Sequence, residues 1–398
     1  MKKILFVDDE PEILSSLKNL LRRQRRQWEM SFAVGGEEAL KLLEKECFDV
    51  VVSDMRMPQV DGVAVLKEVQ KSHPEAVRIV LSGYADQAMS VKASQVAHQF
   101  LNKPCEAGIL RNTLQRACDL QDLISDEAIR RIVGKIGRLP ALPRIYGELT
   151  QALSQENTNA RKVASILKQD MAVCAKLLQM VNSSFFRLAR KVTSIEQAVT
   201  YLGIETIRSL TLAAKVFDPT ALAPKSKTIS FETLQEHALH MATISKRIAP
   251  PGKEEDAFTA GMLQDLGLLI LAVSLPREID DALNRSRSEQ IPLHQIEFDL
   301  FGTSHAEVGA YLLGLWGLPY PVIEAVAHHH QPDRVPQQEF DLLAVIHTAQ
   351  LLSQETSADC QLCSLCGPLS EDMSYWQALD LDQHLDAWRT MVRAEAEY

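Results

Sequence analysis

Two hydrophobic periods share the first part of the chain. Short apolar runs, Ile4–Val7, Val51-Val52, Val77–Leu81 and Gln99–Asn102, are each closed by polar residues. Runs of this kind read as strands buried on both faces. Between them the apolar positions recur at helical spacing. Ile13, Leu14, Leu17, Leu20 and Leu21 share one side of a segment opened by Pro11, where proline is tolerated at a helix start. Gly35-Gly36 turns the chain into a helix over Glu37–Glu44, and Asp61-Gly62 opens a third. Alternation of strands and helices predicts a doubly wound, flavodoxin-like, five-stranded parallel sheet with right-handed crossovers.

From Ala107 to about Ile136 the pattern turns helical without a strong break. Leu110, Leu114, Ala117, Leu120, Ile124, Ala128 and Ile132 recur at helical spacing. One continuous helix is expected here, able to couple two domains rigidly or to pair in a homodimer. Residues 138–355 then read as helices of ordinary length, separated at Pro140, Pro143, Asn157, Asn182, Gly203, Pro219, Pro250, Pro276, Pro292 and Pro319. A change from α/β to all-α marks a domain boundary. The expected division is 1–122, an α/β domain; 123–137, a connecting helix; 138–350, an all-α domain; and 351–398, a helical tail. In the tail, Leu381, Leu385, Trp388 and Val392 form one apolar side, to cover the helical domain or to meet a second chain.

Composition narrows the function. The 398 residues carry a net charge of −10, which disfavours a broad nucleic-acid-binding face. Val163–Leu178 has the apolar spacing of a helix-turn-helix, but few basic residues sit on its second helix. The basic run Arg22-Arg23-Gln24-Arg25-Arg26 suits a helix C-terminus. No apolar run reaches membrane-spanning length; Gly267–Val273 is far too short. The N-terminus reads as a first strand rather than a signal peptide, and seven cysteines, an odd count, fit a reducing compartment. A cytoplasmic protein is expected, with neither nucleic acid nor membrane as partner.

The strand ends carry the chemistry. In open α/β sheets, ligands bind at the carboxyl ends of strands. Asp8 and Asp9 end the first run and Asp54 ends the second. Three carboxylates in one crevice repel one another, and a hard divalent cation such as Mg²⁺ removes that conflict. Ser82 and Lys103 end the later runs, where a hydroxyl and an ammonium can hold phosphoryl oxygens. Asp8-Asp9, Asp54 followed by Met55-Arg56-Met57-Pro58, Ser82-Gly83, Lys103-Pro104 and the aromatic Phe100 together resemble a response-regulator receiver domain over about residues 1–122. The resemblance implies Asp54 as phosphoacceptor, Asp8, Asp9 and Asp54 as Mg²⁺ ligands, Lys103 and Ser82 as catalytic partners, and Ser82 with Phe100 as the switch.

The second region also resembles a family. Leu139-Pro140-Ala141-Leu142-Pro143, Ile166–Asp170, Leu177–Ser183 and Ser194–Gly203 look like an HDOD output domain, a relative of the HD phosphohydrolases. Against the metal ligands of those hydrolases, His237, Asp265, His305, His328 and His329 match in kind, while Gln264 and Gln350 stand where a histidine and an aspartate belong. Amides are poor substitutes there, so a hydrolase able to ionise a metal-bound water is not expected, nor is a bound transition metal. Cys360, Cys363 and Cys366 have ligand-like spacing without an evident fourth ligand; His347 is a candidate.

The resulting expectation is a two-component response regulator. A sensor histidine kinase phosphorylates Asp54, and a non-catalytic HDOD domain docks a downstream signalling protein. The alternative is a phospho-regulated, metal-dependent phosphodiesterase of a cyclic nucleotide or dinucleotide, against which Gln264 and Gln350 count. A transcription factor would need a basic recognition helix.

Overall fold

Strands form where the apolar runs predict them. In the computed structural model, β1 (Lys2–Asp8), β2 (Trp28–Val34), β3 (Val50–Asp54), β4 (Val77–Ser82) and β5 (Gln99–Asn102) make one parallel sheet in the order β2-β1-β3-β4-β5. The structure describes all residues except 83–92, 94, 125, 137–138, 156–157, 183–190, 209, 212–225, 336–338, 357–373 and 397–398. Cys360, Cys363 and Cys366 therefore lie outside the described residues. Helices α1 (Pro11–Leu20), α2 (Gly36–Leu43) and α3 (Gly62–Ser72) return the chain between strands.

Alternate side chains on each strand face opposite layers. Leu5, Val7, Val51, Val80 and Phe100 join one core, which takes in α2 and α3. Ile4, Phe6, Val50, Val52, Ile79 and Leu101 join the other. That second core does not stop at the sheet. It continues through α4 (Ala107–Leu123) and α5 (Glu127–Lys135) into the C-terminal helices without interruption.

The chain does not run as one helix from Ala107 to Ile136. The backbone is extended at Ile124, and Asp126 starts α5 by accepting from the Ile129 amide at 3.0 Å. Arg130 Nη1 donates to the Gln121 and Ile124 carbonyls, both at 3.0 Å, closing the end of α4. Burial explains the break. Ile124 and Ile129 are both buried, which requires α5 to fold back along the sheet. At Gly134 an added Cβ would lie 1.8 Å from the Pro74 carbonyl oxygen, so only glycine allows this approach.

The remaining helices are α6 (Pro143–Ser154), α7 (Ala160–Leu167), α8 (Met171–Val181), α9 (Ile195–Leu202), α10 (Ile204–Arg208), α11 (Phe231–Ile248), α12 (Glu254–Leu263), α13 (Leu266–Ser274), α14 (Pro276–Glu289), α15 (Leu293–Phe301), α16 (His305–Leu315), α17 (Tyr320–His328), α18 (Leu342–Thr356), α19 (Ser374–Ala378) and α20 (Asp382–Ala396). Every residue of α8 is buried, so the helix that could be mistaken for a DNA-recognition helix has no face to offer. Together α12 and α13 make a 21-residue stretch, Glu254–Ser274, long and apolar enough to cross a membrane. Its apolar 18-residue window is 89% buried inside the protein, the environment of a core helix. The tail covers the helical domain: Trp376 Nε1 donates to Thr348 Oγ1 at 3.0 Å, and Leu385 and Val392 are buried beside α18.

Asp170 ties three parts of this domain together. Its carboxylate accepts from the Leu142 amide at 2.7 Å, from Ala172 and Val173 at the start of α8 at 2.9 and 3.0 Å, and from Gln235 Nε2 at 3.3 Å. The residue is fully buried. Asp170→Ala leaves buried donors unpaired, and is expected to cost roughly 2–4 kcal/mol of unfolding free energy, read from the urea midpoint.

Candidate functional site

Parallel pairing of β1, β3 and β4 brings their carboxyl ends to one edge. Asp8 and Asp54 end adjacent strands and are buried, Asp9 is half-buried beside them, and Lys103 follows β5. Lys103 Nζ lies 2.6 Å from Asp8 Oδ2 and also pairs with Asp54 Oδ1. One ammonium thus serves two carboxylates. Burial opposes its charge, but the two carboxylates outweigh this and raise the Lys103 pKa. Burial is also the largest influence on Asp54 and raises its pKa, against the lowering effect of Lys103.

The Asp54 side chain is fixed locally. Its Oδ2 accepts from the Arg56 amide at 2.6 Å, and Ser53 Oγ donates to its carbonyl at 2.9 Å. A Cβ on Gly62 would sit 1.8 Å from that same carbonyl oxygen, so glycine lets α3 start directly under β3. Asp8 Oδ1 accepts from the Glu10 amide at 3.1 Å. Ser82 ends β4 opposite Asn102, and its side chain lies outside the described residues. Phe100 is buried in the core that takes in α2 and α3.

The strand bearing Phe100 abuts the helical domain. Gln99 Nε2 donates to the Gly314 carbonyl on α16 at 3.3 Å, and Gln179 Nε2 on α8 donates to the Ala97 carbonyl at 3.4 Å. Beneath this contact lies Arg78, a buried cation on β4 that the apolar run Val77–Leu81 gives no reason to expect. Its guanidinium donates to the carbonyls of Val96 at 2.5 Å, Pro74 at 3.2 Å, Ala76 at 3.3 Å and Gly134 at 2.7 Å. Burial pushes its pKa down to about 9, which leaves it charged at neutral pH. Burial, Arg78 and Lys176 hold His98 well below its ordinary value, so Arg78 Nη2 donates to a neutral ring at 2.7 Å. A crevice of about 760 Å³ opens beside Lys103, lined by Phe100, Arg116, Gln179, Lys191 and Trp316 among others.

A second cluster lies inside the helical domain. Gly267 lets α13 touch α16: its added Cβ would meet the His305 carbonyl oxygen at 1.8 Å. That crossing sets Asp265, just before α13, against His305. Asp265 Oδ1 is 3.5 Å from His305 Nε2 and 3.9 Å from His329 Nε2; Oδ2 is 3.2 Å from His237 Nε2 and accepts from Gln264 Nε2 at 2.8 Å. Burial works against ionising Asp265, but the hydrogen bond with His237 holds it well below the usual carboxylate range. Four of the five histidines and aspartates expected here, His237, Asp265, His305 and His329, therefore meet. His328 does not join them; it is half-exposed at the end of α17 near Glu324, Glu307 and Arg334.

His330 takes the place expected of His328. Its Nε2 is 2.8 Å from His305 Nε2, and its ring stacks on His294 at 4.5 Å. The helix end decides this: α17 closes at His328, and the next turn swings the following two rings inward. Glu297, fully buried, accepts from His305 Nδ1 at 2.6 Å and was not legible as a partner eight residues away on another helix. His347 Nδ1 faces the His329 carbonyl at 2.7 Å, and its ring stacks on Trp376 at 5.0 Å.

Comparisons with known proteins agree with these two units. Residues 4–115 match the response regulator receiver domain and residues 139–332 match the HDOD domain. Among curated relatives, the response regulator protein PilR of Pseudomonas aeruginosa is 30% identical over 154 residues, covering 38% of this chain and 34% of the relative. An uncharacterised protein of Treponema pallidum is 25% identical over 223 residues, covering 55% of this chain and 43% of the relative. The chain thus spans less than half the length of these relatives. A solved virulence factor of Campylobacter jejuni is 20% identical with a TM-score of 0.51, covering 66% of this chain and 95% of that one, a likeness of fold alone. With both domains matched in order along one chain, the chain belongs to the response regulators that join an N-terminal receiver domain to a C-terminal HDOD domain.

Proposed function

We propose that a sensor histidine kinase phosphorylates Asp54 and that the HDOD domain, without catalysis of its own, docks a downstream signalling protein in response. The observation that carries this reading is Lys103 Nζ shared between Asp8 and Asp54 at the carboxyl edge of the sheet. An Asp54 oxygen attacks the phosphorus of a phosphohistidine, the phosphorus–nitrogen bond breaks, and the histidine leaves. Lys103 and Ser82 hold the transferred oxygens. Three carboxylates against one ammonium make a set of hard oxygen donors with excess negative charge, which fits Mg²⁺ held by Asp8, Asp9 and Asp54. Bound there, Mg²⁺ supplies charge neutralisation for the phosphoryl group.

The output path follows from β5. Phosphorylation adds negative charge where Lys103 is already committed, and Ser82 and Phe100 are the switch residues at the ends of β4 and on β5. β5 contacts α16 and the residues just before it contact α8, and in this reading phosphorylation loosens that docked contact. Gln264 and Gln350 weigh against a hydrolase as the output. A cytoplasmic setting belongs to the same proposal.

Hydrogen exchange tests the coupling. With Mg²⁺ and beryllofluoride, which mimics an aspartyl phosphate, exchange over residues 97–102 and 311–318 is expected to rise roughly 5- to 150-fold, the range of ordinary allosteric coupling. A response confined to the carboxylate pocket would sink the docked-state proposal while leaving Asp54 as acceptor.

A further inference from the structure

We propose that the buried histidine cluster of the HDOD domain is a site for one divalent first-row transition ion, Zn²⁺ by preference, held by His305 Nε2, His329 Nε2, His330 Nε2 and Asp265 Oδ1. This runs against the expectation, drawn from Gln264 and Gln350, that the HDOD domain holds no transition metal.

The argument starts from the protons. His329 Nδ1 faces the Val326 carbonyl at 2.8 Å, so that nitrogen carries the hydrogen and Nε2 presents a lone pair. His329 is fully buried, and among the described residues no hydrogen-bond partner meets its Nε2. His305 Nδ1 is committed to the Glu297 carboxylate at 2.6 Å, which turns a second lone pair, on Nε2, toward the same point. These are the outer contacts that orient imidazole ligands: a carboxylate behind one ring and a backbone carbonyl behind the other.

The spacing agrees. Metal–ligand bonds of about 2.1 Å put neighbouring tetrahedral ligands roughly 3.4 Å apart. Asp265 Oδ1 stands 3.5 Å from His305 Nε2 and 3.9 Å from His329 Nε2, and one ligand nitrogen from each of His305, His329 and His330 lies within 4.8 Å of the others. His330 Nε2 is 2.8 Å from His305 Nε2, a contact that needs a proton between the two nitrogens unless an ion receives both lone pairs. In the loaded form His330 Nδ1 must carry the hydrogen. Gln350, whose Nε2 is now 3.3 Å from that nitrogen and whose Oε1 is buried without a partner, accepts it once the amide is turned over. The ion thus satisfies His329 Nε2, a buried nitrogen that hydrogen bonding leaves bare. Its two positive charges are balanced by Asp265 and Glu297.

Four ligands fill the tetrahedron, so this ion is structural. It fastens the start of α13 to α16 and to the turn after α17, and leaves no position for a reacting water.

The test uses the full-length protein without an affinity tag. Elemental mass spectrometry is expected to find about one Zn, Fe or Mn per chain, and His329→Ala to lose it, while the exposed-tail variant His384→Ala keeps it. Chelator-stripped protein titrated with Co²⁺ should develop the visible absorption of a tetrahedral nitrogen–oxygen site, saturating at one equivalent, with a rise in Tm. Glu297→Gln should weaken Co²⁺ binding roughly 10- to 100-fold. A metal-free wild type that shows neither Co²⁺ absorption nor a Tm shift overturns the proposal, even if His329→Ala fails to fold. Thiolate charge-transfer bands would also overturn it, by assigning the ion to Cys360, Cys363 and Cys366. None of these readouts depends on phosphorylation of Asp54.

Discussion

Asp54→Asn is expected to abolish labelling by a phosphorylated kinase or by a small phosphodonor, with no incorporation above background. The change removes the carboxylate whose Oδ2 accepts from the Arg56 amide and whose Oδ1 pairs with Lys103. It should not unfold the protein. Asp54 is buried and its pKa is raised, so folding penalises the ionised carboxyl. The sign follows: an acid with a raised folded-state pKa gives most stability below its unfolded value and loses it as pH rises through the folded one. Asn removes that penalty, so the variant should melt slightly higher than wild type at pH 7. The gap should close as pH falls below the ordinary value of 3.8. Residual labelling in the variant would move the acceptor elsewhere; a large fall in Tm at pH 7 would contradict the account of its burial.

Arg78→Met is expected to be the most destabilising single change on the sheet, at roughly 3–5 kcal/mol, because several buried acceptors lose their donor at once. The carbonyls of Val96, Pro74, Ala76 and Gly134 all receive from this guanidinium. Lysine is no remedy, since one ammonium cannot span four carbonyls set around a planar fork. Arg78→Lys should recover less than half of the loss in urea midpoint. Because Gly134 belongs to the connecting helix, amide exchange along residues 127–135 should rise in the Met variant before the rest of the sheet responds. An unchanged midpoint would mean that the carbonyls are satisfied without it.

Much of the receiver was open to reading from residues alone. Strand-end carboxylates are conspicuous because β-branched runs such as Val50–Ser53 lead straight into them, and parallel pairing then forces them together. The HDOD staples were also legible as motifs, and Asp170 acquires its meaning only when Leu142 and Gln235 are seen to donate to it. Other features were hidden for physical reasons. Beyond Ile124 apolar residues stand in two adjacent registers, Ala128 with Ile132 and Ile129 with Val133, so spacing alone continues the helix; the extended backbone at Ile124 buries the second pair and leaves Ala128 exposed. Arg78 breaks no periodicity, because its burial is satisfied by backbone carbonyls that carry no sequence signal. Among three consecutive histidines, spacing cannot choose which ring turns inward; the end of α17 makes that choice.

The hydrophobic core that passes from Ile4 and Phe6 through Leu114, Ile124 and Val133 to Tyr311 and Leu313 has a bearing on how such proteins diversify. Genetic exchange of receiver domains works best where the joint is a solvated tether. Here a receiver grafted from another regulator would bring foreign side chains to face Gly314, whose missing Cβ is where Leu120 rests. Inheritance of the two halves as a matched pair is the expected evolutionary pattern, with substitutions at the seam arising in compensating sets rather than singly.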